Sequence, residues 1–427
     1  MKANKIVRSR LLVVMIVAVV VSLLQIIIYG VQRSYDSESY LVAWNRFGAG
    51  IPDIDRTPVY PAFLQICRYV AGESHMQLLA IIVQNIVSWV AIWCFYRIAA
   101  RVTRSKKATF WSSLAVAVIP AFTMWHSYIL TESLSVSFSI FLFYCLLNIY
   151  NRKSWWSVAG AFVWTFLLLF LRPAFLYLLP VLFVAFIIMI WQKKDARKQA
   201  VVGILGLFII AGTLVSYMKA FEKQYGVFAI TRVSTYNNYF IMRQNGTLDP
   251  EKTDNMKLHA FLENSYKKYG RGPNTVNFDV LGRETSNVVI DDFDLPSVTK
   301  LENESRKAHI GDEFIGVLRH TYNAGKELLL DAGGNNPFDI FNVSLGWIYL
   351  ILLFYIIAIY ADYRKKGTLN WANFLMLMMG VSNIIVAVVG AMTEFSRLVV
   401  PSKFIYLLML AQLCCIFANK RRENAIK

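Results

Sequence analysis

The chain has 427 residues, is 56% apolar and has a mean hydropathy of +0.46, values that exclude an ordinary soluble globular protein. A formal net charge of +17 does not point to nucleic acid, because the excess sits in short loops between apolar runs. The polar stretch 219–337 is nearly neutral, with 15 Lys+Arg against 16 Asp+Glu.

Runs of about 20 apolar residues match the thickness of a bilayer core. Ten are predicted, at roughly 10–30, 77–96, 109–123, 131–149, 157–171, 174–191, 200–218, 338–360, 371–391 and 402–418, the third and fifth being short. The first begins with Lys2, Lys5, Arg8 and Arg10. It is longer than a signal-peptide core and lacks a small-residue cleavage site, so it is expected to remain as a span. The order predicts a seven-span module over 1–218 with a first outer loop at 31–76, a polar domain over 219–337, and a three-span module over 338–427. No internal repeat is visible. Basic clusters at Arg97–Lys107, Arg152–Lys153, Lys193–Lys198, Arg364–Lys366 and the tail all fall on one face if ten spans are threaded. By the positive-inside rule that face, with both termini, is cytoplasmic, and 219–337 lies outside a cell membrane. A stretch of that length is too long for a structureless loop. Helical patterns run from Asp249-Pro250 to Gly270 and onward from about Thr299, where Ile310, Phe314, Val317, Leu318 and Tyr322 share helical spacing. The expected fold class is an all-α polytopic membrane protein with a mostly helical extracytoplasmic insert. Cys67, Cys94, Cys145, Cys414 and Cys415 all lie in or near apolar runs and none in 219–337, which gives no basis for a disulfide framework.

Charged groups beside a bilayer are costly unless paired or in use. Asp36 and Glu38 follow the first span, and Asp53, Asp55 and Arg56 precede Pro58 and Pro61. Asp36 is either a proton acceptor or metal ligand, or else a helix cap or a partner for Arg33 or Arg56. Two residues apart, Asp36 and Glu38 would point in different directions on a helix. Trp125-His126-Ser127-Tyr128 and Thr131-Glu132-Ser133 form the turn before the fourth span, with Thr131 as a possible cap. Arg172-Pro173 interrupts an apolar stretch, and an arginine there calls for an anionic partner. Glu394 and Arg397 precede Pro401 before the last span and are spaced to pair on a helix. Outside the insert, six of the seven basic residues near the outer face are Arg, the residue suited to forked contacts with phosphate.

In their order, these elements resemble the GT-C superfamily: an acidic first loop, Arg56-Thr57-Pro58-Val59-Tyr60-Pro61, Thr131-Glu132-Ser133, Leu171-Arg172-Pro173 and the late Glu394-x-x-Arg397-x-x-x-Pro401. Within it the chain is similar to bacterial members of the protein O-mannosyltransferase and lipid A aminoarabinose transferase group. The resemblance covers spans one to seven and 394–401, not 219–337. It implies a polyprenyl-phosphate sugar donor, transfer on the extracytoplasmic side to a glycan, lipid or protein acceptor, and inversion at the anomeric carbon. Asp36 would then be the base or acceptor-orienting group, with Glu132 a second catalytic carboxylate. Arg56, Arg172 and Arg397 would hold the donor phosphate, and Glu38, Tyr40, Tyr60, His126 and Glu394 would support the acceptor. A divalent cation (Mg or Mn) is a possible cofactor and its ligands are open. Members often carry adjacent Asp-Glu, whereas here Ser37 separates the two acids. Two other readings stay open: a polysaccharide polymerase or ligase using undecaprenyl-diphosphate glycans, and a lipid-linked sugar transporter. The mild mid-span polar residues Ser88, Asn148, Ser382 and Asn383 argue against the transporter. The partners expected are lipids and sugars, with no nucleic acid.

Overall fold

The computed structural model describes residues 2–273, 275–330, 346–390 and 395–426. Among them no strand forms, and the helices run α1 (Lys2–Tyr29), α2 (Ser37–Gly48), α3 (Val59–Thr103), α4 (Lys106–Val118), α5 (Pro120–Thr123), α6 (Glu132–Arg152), α7 (Trp155–Leu171), α8 (Leu178–Gln192) and α9 (Arg197–Tyr225). The insert holds α10 (Val233–Asn245), α11 (Met256–Tyr269), α12 (Phe278–Ser286), α13 (Leu295–Ala308) and α14 (Ile310–Leu330). Then come α15 (Gly346–Lys366), α16 (Trp371–Gly390), α17 (Phe395–Val399) and α18 (Lys403–Ile426).

Where they are described, the ten predicted stretches are largely helical, but among the described residues eight helices are long and apolar enough to cross a bilayer. A ninth arises if Lys106–Val118 and Pro120–Ser127, bent by 59° at their junction, form one broken span. Ile119 is extended there (φ −67°, ψ 126°), as the residue before a proline prefers to be. The stretch predicted at 157–171 is α7, a helix of only 17 residues. It stops because Arg172, before Pro173, is also extended (φ −151°, ψ 129°). The stretch predicted at 338–360 is described only from Gly346 onward.

The first outer segment differs most from expectation. Residues 31–76 are largely helical: α2 lies there, and the span predicted at 77–96 belongs to the 45-residue α3. Pro61 sits in the first turn of α3, where a missing N–H costs nothing. The break in α3 falls at Gly72, whose φ of +73° suits glycine alone. Tyr40, Leu41, Tyr60, Leu64, Met76, Ile81, Ile129, Leu130 and Leu134 pack into one buried cluster. They join α2, α3 and the turn before α6 into a rigid floor.

The insert has its own core, with Tyr239, Met242, Leu258, Leu262, Val298 and Leu301 at its centre. Phe221 from α9 enters this core, so the span helix continues into the insert and ends at Gly226 (φ +73°). Gly246 (φ +74°) is more constrained: a Cβ there would sit 1.7 Å from the Arg271 carbonyl oxygen. At the centre, Arg243 donates to Glu284 at 3.0 Å and to Ser265 at 2.8 Å, a fully buried and hydrogen-bonded pair. The apolar row on α14 does not face this core. Ile310, Phe314, Leu318 and Tyr322 are exposed, while Glu313, Gly316, His320 and Ala324 turn inward. Gly316 permits this because any side chain there would meet Asn245 at 2.9 Å.

Glu302 of α13 is buried and its Oε1 has no hydrogen-bond partner. Burial pushes its carboxyl well above the ordinary 4.5, against the pull of Arg306 and Asn238. A carboxyl with a raised folded pKa keeps its proton when the unfolded chain releases it, so stability falls as pH rises from about 4.5 towards the folded pKa. Glu302→Gln cannot ionise. The variant should match the wild type in thermal unfolding near pH 4 and exceed it increasingly at higher pH; parallel pH profiles would contradict the assignment.

Candidate functional site

The site grows from two turns pinned together. Gly30 (φ +60°) ends α1 and redirects the chain. The Gln32 N–H then donates to the Ser127 carbonyl at 2.8 Å, and the Ile129 N–H donates to the Gln32 carbonyl at 3.0 Å. Ser37 is fully buried, and its hydroxyl donates to the Ile129 carbonyl at 3.0 Å while accepting the Ser34 N–H at 2.9 Å. The serine between the two acids is therefore the cross-link that fixes the direction of Asp36.

Asp36 and Thr131 precede helices, yet neither side chain caps one. Asp36 instead accepts from Arg56 Nη2 at 2.7 Å through Oδ1 and pairs with Arg397 Nη1 at 2.7 Å through Oδ2. Arg397 donates from Nε to Glu132 Oε1, which also accepts from Arg172 Nη1 at 3.0 Å. Five residues from four separate segments thus form one chain: Arg56, Asp36, Arg397, Glu132, Arg172. The Glu132 side chain is fully buried, and the arginines are between 12% and 17% exposed. Charges desolvated this far persist only as a paired network. Among the described residues, three guanidiniums meet two carboxylates in this network.

Arg56 is held from several sides. Asp53 Oδ1 accepts the N–H groups of Asp55 and Arg56 at 2.9 and 2.8 Å, which sets the loop. Arg56 Nε donates to Ser39 at 2.7 Å, Nη1 donates to the Tyr40 hydroxyl at 3.3 Å, and its guanidinium lies 4.2 Å over the Tyr40 ring. Tyr60 meets Tyr40 edge-on at 5.0 Å and donates to Gln84 at 2.9 Å. Gln84 in turn donates to the His126 and Tyr128 carbonyls at 3.2 and 3.0 Å. Burial alone would raise the Asp36 carboxyl, but Arg56 and Arg397 outweigh it and hold its pKa below the ordinary 3.8. Asp36 is therefore an ionised, doubly paired carboxylate. The second oxygen of Glu132, Oε2, is buried without a hydrogen-bond partner.

Other expected residues lie apart from this network. His126 is buried and its Nδ1 meets the Ser133 hydroxyl at 2.7 Å, so its side chain serves the turn. Glu38 is exposed and faces Arg33 at 3.8 Å. Glu394 lies outside the described residues. The donor atoms spaced to share one metal ion among the described residues are those of Glu251, His259 and Glu263 on the insert, not the network. Sequence reasoning missed Ser39, Gln84 and Arg232. Arg232 makes a forked pair with Asp55, Nε to Oδ1 at 2.6 Å and Nη2 to Oδ2 at 2.8 Å, and its N–H donates to the Ile54 carbonyl at 2.8 Å. This ties the insert to the loop that carries Arg56. No local signal marks it, because the partners are 177 residues apart. Arg232→Ala should cost about 1–2 kcal/mol and loosen Arg56. A stability loss relieved by the swap Asp55→Arg with Arg232→Asp would support the tie; no loss in Arg232→Ala would refute it.

Residues 55–217 match the model of the dolichyl-phosphate-mannose-protein mannosyltransferase family. The match starts at the Asp55-Arg56 loop and includes Glu132 and Arg172, while Asp36 and Arg397 lie beyond it. No curated protein matches the chain by sequence. Among solved structures it is similar to the archaeal oligosaccharyltransferase AglB from Archaeoglobus fulgidus in complex with an inhibitory peptide and a dolichol-phosphate. That likeness has a TM-score of 0.54 at 13% identity and covers 99% of this chain and 52% of that one. An oligosaccharyltransferase from Archaeoglobus fulgidus in complex with zinc and sulfate gives 0.51 at 12% identity, over 96% and 51%. ArnT from Cupriavidus metallidurans bound to undecaprenyl phosphate gives 0.42 at 9%, over 92% and 77%. The chain therefore spans about half the length of the AglB chain, and at these identities the likeness concerns the fold. The chain is thus similar to GT-C membrane glycosyltransferases, by sequence over 55–217 and by fold over nearly its whole length.

Proposed function

We propose that the chain moves a sugar from a polyprenyl-phosphate donor to a glycan, lipid or protein acceptor on the extracytoplasmic face of a cell membrane, with both termini cytoplasmic. The observation that carries this reading is the buried network of two carboxylates threaded between three arginines at the ends of the spans. The donor's phosphodiester, entering there, competes for Arg56 and Arg397, the two groups that hold Asp36. Once released, Asp36 loses the charges that lowered its pKa and becomes a better base. It then accepts the proton of an acceptor hydroxyl as that oxygen attacks the anomeric carbon. The bond from that carbon to the phosphate oxygen breaks, and the oxygen leaves with both electrons. Arg172 and Arg397, held by Glu132, stabilise the charge gained by the departing phosphate. A single displacement of this kind inverts the anomeric centre.

The zinc in one Archaeoglobus fulgidus oligosaccharyltransferase complex invites a metal at this site. The network does not suit one as it stands. Both Asp36 oxygens and Glu132 Oε1 already accept from guanidiniums, which leaves only Glu132 Oε2. No step is routed through a cation.

Purified protein offered a panel of polyprenyl-phosphate sugars, beside undecaprenyl-diphosphate glycans, should release polyprenyl phosphate from the first class. Turnover confined to the diphosphates would favour a polymerase or ligase, and none with any donor would remove the transferase reading.

A further inference from the structure

At the ends of the spans opposite the arginine network, a cavity of about 1010 Å³ opens among α3, α6, α15, α16 and α18. Its surroundings are of three kinds. The rim carries Arg101, Arg104, Lys365 and Lys366, and the one carboxylate among the lining residues is Asp362. Asp362 is taken by Lys366 at 2.7 Å, and neither Arg104 nor Lys365 has a carboxylate partner among the described residues. Arg101 spends its Nη1 on Asn148 at 2.7 Å, a neutral partner.

Deeper in, polar side chains from three spans are linked. The Tyr355 hydroxyl donates to Gln412 at 2.7 Å, and Gln412 Nε2 donates to Asn373 at 3.1 Å. Tyr355 and Asn373 are buried. Polar groups at span level are expensive and commonly mark a site. The remaining wall is apolar, with Leu147, Ala358, Ile359 and Ile416. On its other side α15 exposes Leu350, Leu353, Phe354 and Ile357, so it stands at the edge of the bundle facing lipid. Basic loops that merely set topology require neither a cavity nor a linked polar floor.

We propose that this cavity binds the phosphate headgroup of an anionic membrane lipid, with Arg104 and Lys365 at its mouth and the lipid chains lying along α15. The site is distinct from the outer network and independent of the sugar-transfer reading. Cations at such a surface each strengthen anionic-lipid binding about fivefold, so loss of two should weaken it about 25-fold.

The test uses the full chain in mixed micelles, with bound lipid counted by native mass spectrometry and thermal unfolding followed in parallel. Phosphatidylglycerol should bind and protect the wild type where phosphatidylcholine does not, and millimolar inorganic phosphate should give little protection. Arg104→Ala with Lys365→Ala should lose about 25-fold in phosphatidylglycerol affinity, and Lys365→Ala alone about fivefold, with donor turnover unchanged. Equal binding of the two lipids to the wild type would overturn the proposal without any variant. So would unaltered phosphatidylglycerol affinity in the double variant, or protection by inorganic phosphate equal to that by the lipid.

Discussion

Asp36→Asn should lower turnover by a factor of about 10² or more while leaving the fold intact. The substitution keeps the size of the side chain and one oxygen to accept from a guanidinium, and it removes the proton acceptor. Glu38→Gln provides the contrast: Glu38 is exposed and its nearest charged partner is Arg33 at 3.8 Å, so little change is expected. Steady-state release of polyprenyl phosphate measures both. Near-normal turnover in Asp36→Asn would end its assignment as base, though the fold would stand.

Glu132→Gln should show the largest loss of stability. Glu132 is fully buried and holds two guanidiniums, Arg172 and Arg397, on one oxygen. A neutral amide takes the carboxylate from Arg172 and one of the two carboxylates from Arg397, which keeps Asp36. Removing one partner of a buried ion pair costs roughly 3–5 kcal/mol. Arg172→Gln should cost less, because Glu132 keeps Arg397. Thermal inactivation of the detergent-solubilised variants orders them. If Glu132→Gln were as stable as the wild type, the network would not hold these helices together.

The parts of the site were legible in the sequence because charges beside apolar runs stand out. Asp36, Glu132, Arg172 and Arg397 each sit within a few residues of a predicted span end, and Arg56 stands out in the loop between the first two by its neighbouring acids and prolines. Their connectivity was not legible. Arg56 is 20 residues from Asp36, Arg172 is 40 from Glu132, and Arg397 is 265 from Glu132, and no local pattern encodes such pairings. The same holds for Arg232 and Asp55. His126 shows the converse: a lone histidine in a polar turn draws attention, yet its ring is buried against Ser133. The turn at Arg172 followed from the proline after it, whereas the bend at Ile119 falls inside the span predicted at 109–123. The length of α3 did not, because Pro61 and Gly72 look like loop residues until Pro61 is placed in a first turn and Gly72 at a break. The exposed row on α14 obeys helical spacing, but spacing identifies a face without saying what covers it.

The central claim is that the arginines bind the donor phosphate while Asp36 competes for them, and the affinity for polyprenyl phosphate itself tests it most directly. In wild type, Arg397→Ala and Asp36→Asn, dissociation constants should move in opposite directions. Arg397→Ala should bind about ten- to a hundredfold more weakly, since a charge-assisted contact of roughly 1.5–3 kcal/mol is lost. Asp36→Asn should bind as tightly as the wild type or more so, because it removes the carboxylate that occupies the same guanidiniums. Unchanged affinity in Arg397→Ala, or equal weakening in both variants, would contradict the account.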